Sequence, residues 1–339
     1  MEVYPQTLME FENQFATEEA CRLYLEQLRW PDRFQCPRCR GTEAWRMSRG
    51  LWLCQRCRRQ TSVTVGTVFE RSRLPLTLWF RVMWHVTNQK NGASVLTVQR
   101  LLGLGSYQTA WAWLHKLRRA MVRPGRDCLE GMVEADESYL GGEKPGKRGR
   151  GARGKALVLL AVQLQPGNKI GRIRLAQVND ASGSSLVGAL ETMVTPGSEV
   201  RTDGWSGYND LASKGYRHTV VRGSGGIGQD LLPACRRVAS LLKRWLLGTH
   251  QGAVRHEHLA YYLDEFTFRF NRRMSASRGK LFYRLAQQAV HVRLSRLPWE
   301  FGLRPGNGRQ LYAAASFLSS SVAIALINCG SWLYAWIRR

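Results

Sequence analysis

Two Cys-x-x-Cys pairs lie close together near the start of the chain, Cys36 with Cys39 and Cys54 with Cys57. Zinc in proteins takes four tetrahedral ligands, and each tight Cys-x-x-Cys turn directs two thiolates towards one point. Residues 40–53 are long enough to form a hairpin that returns the chain to the same ion. A redox pair, an iron site of the rubredoxin type and a chance pattern are the alternatives. We predict a structural zinc ribbon, because four protein ligands leave no open coordination position for chemistry.

A second set of candidate residues is acidic. Asp136 lies inside a predicted strand, in the segment VEADES, and Asp203 lies at the end of a later strand, in TDGWSGY. Strand alternation places Glu134 and Asp136 on one face and Glu137 on the other. Buried carboxylates in a sheet cost free energy unless they are paired or bind a metal ion. Two aspartates from neighbouring strands can hold Mg²⁺ or Mn²⁺, and such an ion activates water or a DNA 3′-hydroxyl. The alternative is that both aspartates only cap local turns.

The elements that would position these acids follow α/β order. Residues 130–292 contain segments with the alternating or continuous apolar pattern of strands, and others with helical spacing. Strands are predicted for MVEADESYLGG, KALVLLAVQLQP, GRIRLAQVND, SEVRTDGWSGY and HTVVRG. Helices are predicted for ASGSSLVGALETMV, for PACRRVASLLKRWLLG and within residues 256–292. This order predicts an α/β domain with a mixed sheet.

The first third of the chain is predicted to be mostly helical around the ribbon. Residues 15–30 begin with Thr17 as a helix cap, followed by two glutamates that suit a helix N-terminus. Residues 76–122 contain three segments with helical periodicity. The last two are joined by a turn that contains Gly103 and Gly105, which is typical of a helix-turn-helix. In such a motif the second helix would lie in the major groove of DNA.

The charge of the chain points to a polyanionic partner. Lys and Arg total 50 against 25 Asp and Glu, which gives a formal net charge of +25. Such an imbalance does not help folding, and nucleic acid is the usual reason for it. A ribosome-associated or merely basic protein is the alternative. The arginines around the cysteines make the ribbon a basic surface suited to phosphate contacts: Arg38, Arg40, Arg46, Arg49, Arg56, Arg58 and Arg59.

Several motifs together resemble one family. CPRC…CQRC, VEADESYLGG, RTDGWSGY, LKRWLLGTHQG and YYLDEFTFRFNRR occur in this order within residues 15–290. They resemble the transposases of the IS1595 family of bacterial insertion sequences, whose catalytic part is the ISXO2-like transposase domain. The resemblance implies an RNase H-like fold with a DDE-type site, in which Asp136 and Asp203 are catalytic and bind Mg²⁺ or Mn²⁺. It also implies action on terminal inverted repeats of double-stranded DNA, and we expect a homodimer in a synaptic complex.

The third catalytic residue of that family is missing from its expected helix. The family carries a Glu or Asn on the helix that contains LKRWLLG, and residues 231–248 contain no Asp, Glu, Asn or Gln here. Asp230, just before that helix, is the candidate third ligand. Lys243 and His250 match family motif positions and are expected near DNA or the site. The missing ligand leaves two alternatives open, a catalytically inactive DNA-binding remnant and a zinc-ribbon transcriptional regulator.

Basic residues outside the ribbon are predicted to contact DNA phosphates. The predicted set is Lys144, Lys147, Arg148, Arg150, Lys155, Lys243, Arg269, Arg272 and Arg273. The first five belong to a Gly-rich basic loop and the last three to FRFNRR, which is suited to phosphate binding. For Arg272 and Arg273 a solvated helix face is the alternative.

Four regions are predicted along the chain. They are a helix with the zinc ribbon at 15–70, a helix-turn-helix-like region at 71–125, an RNase H-like domain at 130–292 and a hydrophobic tail at 293–339. The tail contains no charge from Gln310 to Ile337 and is a membrane anchor, a packed helix or a reading-frame product. A membrane anchor is the least expected of these. The acidic N-terminus has no apolar signal core, so we expect a cytoplasmic, nucleoid-associated protein.

Overall fold

The computed structural model describes residues 3–122, 125–141, 155–222, 231–252 and 254–292. The chain begins with two helices, α1 (Leu8–Gln14) and α2 (Glu18–Arg29). Thr17 caps α2 by accepting a hydrogen bond from the Ala20 N–H at 3.2 Å, and the predicted helix start is confirmed. The predicted tail and the basic loop up to residue 154 lie outside the described residues.

The cysteine segment forms a small antiparallel sheet. Its strands are β1 (Ala44–Arg46), β2 (Trp52–Cys54) and β3 (Gln60–Thr61), in the order β1-β2-β3. The predicted hairpin is confirmed, and its turn is closed by a 2.8 Å bond from the Met47 N–H to the Leu51 carbonyl. Its core consists of Phe34 stacked on Trp52, with Trp30 at the edge.

Three helices follow the ribbon, as their periodicity predicts: α3 (Leu76–Asn88), α4 (Val95–Leu101) and α5 (Tyr107–Ala120). They surround a core in which Trp79 stacks on Trp113 at 3.9 Å. The groove-binding role predicted for α5 stays a prediction. Residues 112–118 are all buried, so α5 exposes mainly its first turn and Arg119. Recognition helices contact base edges with their N-terminal residues, so only the first turn of α5 could take that role.

The second half of the chain forms a five-stranded mixed sheet. Its strands are β4 (Met132–Leu140), β5 (Ala156–Gln165), β6 (Lys169–Val178), β7 (Glu199–Thr202) and β8 (Arg217–Val220). The spatial order is β6-β5-β4-β7-β8, so the first strand of the sheet lies in its centre. β5 runs antiparallel to β4 and β6, whereas β7 and β8 run parallel to β4. The prediction of an α/β domain with a mixed sheet is confirmed.

Helices cover both faces of this sheet. α6 (Gly183–Glu191) packs on one face with a 3-10 turn at Ser206–Leu211. α7 (Pro233–His250) and α8 (Leu259–Asn271) pack on the other face, with a 3-10 turn at His256–His258 between them. Strand β5 is apolar from Ala156 to Val162, where its side chains enter the two cores in alternation.

The last described helix, α9 (Arg278–Ala289), packs against α2, α3 and α5. Phe282 is fully buried among aromatic rings of the N-terminal helices, including Phe11 and Trp84. The end of the described chain therefore completes the core of its beginning. The predicted boundaries at 71–125 and 130–292 stay a prediction, although α9 belongs by packing to the N-terminal helices.

Within the described ranges, none of the helices combines the length and apolar character needed to cross a membrane.

Candidate active site and zinc centre

The four cysteines of the ribbon converge. The Sγ atoms of Cys36 and Cys57 are 3.6 Å apart and those of Cys39 and Cys54 are 3.5 Å apart. All four sulfurs lie within 4.8 Å of one another. Tetrahedral Zn–S bonds of about 2.3 Å require sulfurs roughly 3.8 Å apart, so this donor set fits a zinc ion.

Electrostatics at the first cysteine favour a thiolate. Burial acts to raise the pKa of the Cys36 thiol, but hydrogen bonds from the backbone amides of Cys39 and Arg38 outweigh it and the pKa falls to about 7. A metal ligand must be deprotonated, so this shift assists binding. At Cys57 the Arg59 backbone amide acts to lower the pKa, but burial and hydrogen bonds with the other three cysteines outweigh it and the pKa rises to about 11, so the four thiols share their charge unequally before a metal binds. The two knuckles share one backbone pattern, in which the N–H groups of Arg40 and Arg58 donate to the Cys36 and Cys54 carbonyls at 2.9 Å.

The two predicted catalytic aspartates follow the parallel pairing of β4 and β7. In that pairing Val133 lies opposite Val200 and Glu134 lies opposite Arg201. Asp136 comes two residues after Glu134 within β4, and Asp203 comes two residues after Arg201, directly after β7 ends at Thr202. Equivalent positions on neighbouring strands are about 4.8 Å apart, so carboxylates there would be close enough to share one ion. Asp203 therefore lies at the carboxyl end of a parallel strand.

Local hydrogen bonds orient both carboxylates. Oδ1 of Asp136 accepts the Glu137 N–H at 2.8 Å, and Oδ1 of Asp203 accepts the Trp205 N–H at 3.0 Å. Gly204 between the latter two residues has a φ of +81°, which glycine adopts without steric cost. Trp205 is itself fixed, because its indole N–H donates to the Ala181 carbonyl at 2.8 Å. These contacts together fix the conformation of the turn that contains Asp203.

The third acid of the VEADES segment belongs to the opposite face, as alternation predicts. Oε2 of Glu137 accepts a 2.8 Å hydrogen bond from the hydroxyl of Tyr208, which is fully buried beneath α6. Burial raises the pKa of Tyr208 far above its ordinary value, and the charges of Glu137, Asp136 and Asp203 add to this effect. The charges of all three carboxylates therefore act on the Tyr208 hydroxyl.

Glu134, on the same face as Asp136, contacts α7. Its Oε2 accepts the N–H groups of Ala234 and Cys235 at 2.9 and 3.0 Å, and so caps the helix N-terminus with a negative charge. Burial raises the pKa of Cys235 well above its usual range, and Asp136 and Glu134 add to it. The first turn of α7 therefore lies over the acidic face of β4.

Helix α7 is the element that carries the third ligand in the resembled family. Its residues 233–250 contain no carboxylate, and the face that it turns to the sheet is apolar, with Val238 and Leu242 fully buried. Asp230 lies outside the described residues. Glu134, a carboxylate from β4, contacts the first turn of this helix.

Two protein-family models match this chain. Residues 128–271 match the ISXO2-like transposase domain, and residues 16–60 match the transposase zinc-ribbon domain of IS1595 elements. The chain belongs to the IS1595 transposase family. It is also similar to an uncharacterized protein in transposable element ISH50 of Halobacterium salinarum. The two are 29% identical over 274 residues, which cover 75% of this chain and 91% of the relative. The zinc-ribbon match agrees with a structural zinc ion at the four cysteines.

The predicted phosphate contacts of this transposase-family chain fall into three groups. Lys144, Lys147, Arg148 and Arg150 lie outside the described residues. Lys155 is half-buried at the start of β5, and Lys243 is exposed on α7. Arg269, Arg272 and Arg273 all lie at or beyond the end of α8, where their side chains make contacts within the protein.

Arg269 makes contacts within the protein, which favour a structural role over its predicted contact with DNA. Only 12% of its side chain is exposed, and it forms an ion pair with Glu265 at 2.8 Å. It also donates to the Val86 and Gln89 carbonyls at 2.6 and 2.9 Å. These contacts use most of the N–H donors of the guanidinium. The helix-end position that suggested exposure is covered by the loop after α3.

Arg272 and Arg273 also contact their own neighbourhood. The Arg272 guanidinium lies 4.1 Å from the centre of the Phe268 ring. Arg273 lies over Phe270 and donates to the carbonyls of Ile170 and Gly171 near the start of β6. These contacts hold the end of α8 against the sheet. They favour a structural role over the predicted phosphate contact, although Arg273 remains exposed.

His250 does not point to an open site. Its ring packs edge-on against Trp245 and Tyr262, with ring centres 4.7 and 4.8 Å apart. Burial, followed by the charge of Arg118, lowers its pKa to about 4. It is thus a neutral interior histidine at the end of α7.

Two interactions were not predicted. One is the capping of α7 by Glu134, and the other is a buried ion pair between Arg118 and Glu265, with Nε and Oε2 2.7 Å apart. The i,i+4 spacing of Glu265 and Arg269 was a usable signal for part of this network. Nothing local in the sequence connects Arg118 to Glu265, which are 147 positions apart.

Proposed function

We propose that this protein is a DNA transposase that binds the terminal inverted repeats of its element and catalyses metal-dependent strand cleavage and transfer. The observation that supports the proposal most directly is the parallel pairing of β4 with β7, because Asp136 and Asp203 each come two residues after the last pair, Glu134 and Arg201. A transposase-domain match that spans both aspartates supports the same reaction. The net charge of +25 supports DNA as the substrate.

An RNase H-like catalytic domain is the fold that this arrangement supports. In that fold the first acid lies on the first strand and the second follows the fourth. Asp136 lies on β4, the first strand of the mixed sheet, and Asp203 directly follows β7, the fourth. The antiparallel and parallel pairings bring these two strands together in the centre of the sheet.

Asp136 and Asp203 would hold Mg²⁺ or Mn²⁺, since hard carboxylate oxygens suit these ions. Such an ion supplies activation of water or a DNA 3′-hydroxyl and stabilises the leaving oxygen. The Trp205 N–H keeps Asp203 oriented, and Glu134 fixes α7 above the acidic face. Asp230 remains our candidate for the third ligand. Exposed Lys243 would contact DNA. We expect a homodimer that holds two DNA ends in a synaptic complex, within the nucleoid of the cytoplasm.

A strand-cleavage assay tests this proposal. Purified protein, Mn²⁺ or Mg²⁺ and a duplex that ends in the element's inverted repeat should give specific nicks. Asp136→Asn and Asp203→Asn should each lower the rate by at least on the order of 100-fold, because even the outer partners of metal ligands are worth 10–100-fold. Asp210→Asn, at an exposed aspartate, is the matched control and should cleave like wild type.

Two further outcomes are informative. Loss of cleavage in Asp230→Asn would support Asp230 as the third ligand. Specific binding of the repeat without cleavage by the wild-type protein would contradict the enzymatic proposal and leave an inactive DNA-binding remnant. Binding alone cannot separate a transposase from a zinc-ribbon regulator, so the metal-dependent nick is the deciding measurement.

A further inference from the structure

The outer face of the zinc ribbon carries an exposed tryptophan. Half of Trp45 is accessible, at 50%, although large aromatic side chains are normally buried. Trp45 pairs across the sheet with Leu53, and Leu53 pairs with Gln60. These three residues form one cross-strand row. Trp52 and Cys54, at alternate positions of β2, belong to the core on the other face.

An arginine plane lies over this ring. The guanidinium carbon of Arg58 is 5.2 Å from the centre of the Trp45 ring. Planar guanidinium groups and indole rings are both surfaces on which a nucleic-acid base can stack. Trp45 and Arg58 therefore combine an aromatic platform with a cation that can reach the adjoining phosphate.

The conformations of two arginines give an independent observation. Arg40 and Arg58 end the two zinc knuckles at equivalent positions, and both have left-handed backbones, with φ of +59° and +55°. Glycine adopts this conformation freely, whereas a residue with a Cβ is strained there. Strained residues that persist tend to occur at functional sites. Both knuckles carry arginine where glycine would be structurally easier, which indicates a use for the cation.

The charge of the ribbon matches a polyanion. Residues 31–61 contain the acids Asp32 and Glu43 and the exposed arginines Arg33, Arg38, Arg40, Arg46, Arg49, Arg56, Arg58 and Arg59. Arg46 pairs with Glu19 of α2, at 3.0 Å. The surface around Trp45 thus has a strong excess of positive charge, which favours nucleic acid over an apolar protein partner.

We propose that the outer face of the zinc ribbon binds an unpaired nucleotide of the DNA, with its base stacked on Trp45 and Arg58 and its phosphates held by the surrounding arginines. Bases inside a duplex are already stacked on each other, so only an unpaired base can use this platform. Strand cleavage and transfer generate unpaired nucleotides at DNA ends. The inference rests on the proposed function and deepens it by assigning such an end to the ribbon.

The test compares two DNA probes with the full-length, zinc-loaded protein. One probe is a labelled, fully paired duplex that ends in the terminal repeat, and the other adds a four-nucleotide unpaired overhang to it. Fluorescence anisotropy at constant salt should show tighter binding of the overhang. Trp45→Ala should weaken overhang binding by about 10-fold, within the range of one stacked base, and leave paired-duplex binding nearly unchanged.

Matched variants separate stacking from charge and from folding. Trp45→Phe should retain most of the preference for the overhang, and Arg58→Lys should lose part of it because lysine keeps the charge without the plane. Arg58→Gly relieves the left-handed strain, so its melting temperature should not fall while its overhang affinity does. Leu8→Ala removes an apolar side chain that is 55% exposed outside the ribbon and should behave like wild type. Zinc content of every variant must equal that of wild type.

Several results would overturn the proposal. One is equal binding of both probes by wild type and Trp45→Ala. A second is an equal loss of affinity for both probes in Trp45→Ala, because Trp45 would then contact the duplex backbone. A third is a changed oligomeric state of Trp45→Ala in light scattering with unchanged DNA binding, since the face would then be a protein interface. Wild-type protein that binds neither probe would overturn the proposed function as well, which distinguishes the two failures.

Discussion

At the scale of single residues, the buried ion network of Glu265 is the least expected feature. Arg118 and Glu265 each expose 1% of their side chains, and Arg269 binds the other carboxylate oxygen. Burial acts to raise the pKa of Glu265, but Arg269 and Arg118 outweigh it and lower the pKa to about 2. The Arg118 guanidinium also lies 4.1 Å from the centre of the Tyr262 ring. One anion thus neutralises two cations in the interior between α5 and α8.

Removing the negative charge of Glu265 should destabilise the fold. In Glu265→Gln two buried cations lose their charge partner, so we expect the free energy of unfolding to fall by about 3–5 kcal/mol. Glu191→Gln is the matched control, because its pair with Lys214 is 42–49% exposed and should be worth about 0–1 kcal/mol. Urea unfolding followed by circular dichroism measures both. Equal losses in the two variants would contradict the assigned role of Glu265.

At the scale of elements, the loop between α3 and α4 joins the N-terminal helices to the sheet-covering helices. The Asn91 carbonyl accepts the Trp245 indole N–H and the Thr249 hydroxyl of α7, both at 2.9 Å. Arg269 of α8 holds the Gln89 carbonyl of the same loop. Helix α7 is therefore fixed at its first turn by Glu134 and at its last turn by this loop.

Gly92 makes that junction possible. Its φ is +78°, and a Cβ there would lie 2.7 Å from Oε1 of Glu265 and 3.0 Å from the Arg269 guanidinium. Gly92→Ala should lower the free energy of unfolding by about 2–4 kcal/mol, from left-handed strain plus displacement of the ion pair. In Gly103→Ala, with a φ of +60° and open space around the Cβ, only the strain applies, about 1–2 kcal/mol. Thermal unfolding of the pair distinguishes them, and a Gly103→Ala loss as large as that of Gly92→Ala would refute the packing argument.

At the scale of the whole molecule, two interior histidines make the fold sensitive to acid. His115 lies among Trp111, Tyr261 and Tyr262, and neither of its ring nitrogens has a hydrogen-bond partner within the part of the chain that the structure describes. Burial, then the charge of Arg118, lowers its pKa from 6.5 to about 3. His250 behaves similarly, with a pKa of about 4. Both rings must stay neutral where α5, α7 and α8 meet.

The sign of the pH effect follows from these shifts. The unfolded histidines bind protons near pH 6.5 while the folded ones do not, so stability is fully present above pH 6.5 and falls as the pH drops towards 4. Each histidine should contribute about 1.4 kcal/mol per pH unit within that window. His115→Phe should remove the contribution of one histidine to the pH dependence of the unfolding free energy. His256→Gln, at an exposed histidine, should leave that pH dependence unchanged. Urea midpoints from pH 7 to pH 4.5 measure the difference, and an unchanged slope in His115→Phe would rule the mechanism out.

The sequence by itself determined the features that depend on neighbouring residues. Cysteine spacing fixed the zinc ligands because a knuckle turn involves only a few residues. Thr17 defined a helix start, and alternation along β4 separated Glu134 and Asp136 from Glu137. Periodicity also gave the order of strands and helices, and hence the mixed sheet. These are local properties of the backbone, so they are readable without knowledge of the chain path.

Only the tertiary structure decided which distant residues meet. Pairing of β4 with β7 joined the two strands that lead to Asp136 and Asp203, and packing of α8 under the α3–α4 loop directed Arg269 to Glu265. Packing likewise covered most of α5 and drew α9 back to the N-terminal helices. The physical reason is that hydrophobic burial is non-directional. A helical pattern indicates that one face of a helix is buried. The path of the whole chain decides which element packs against that face.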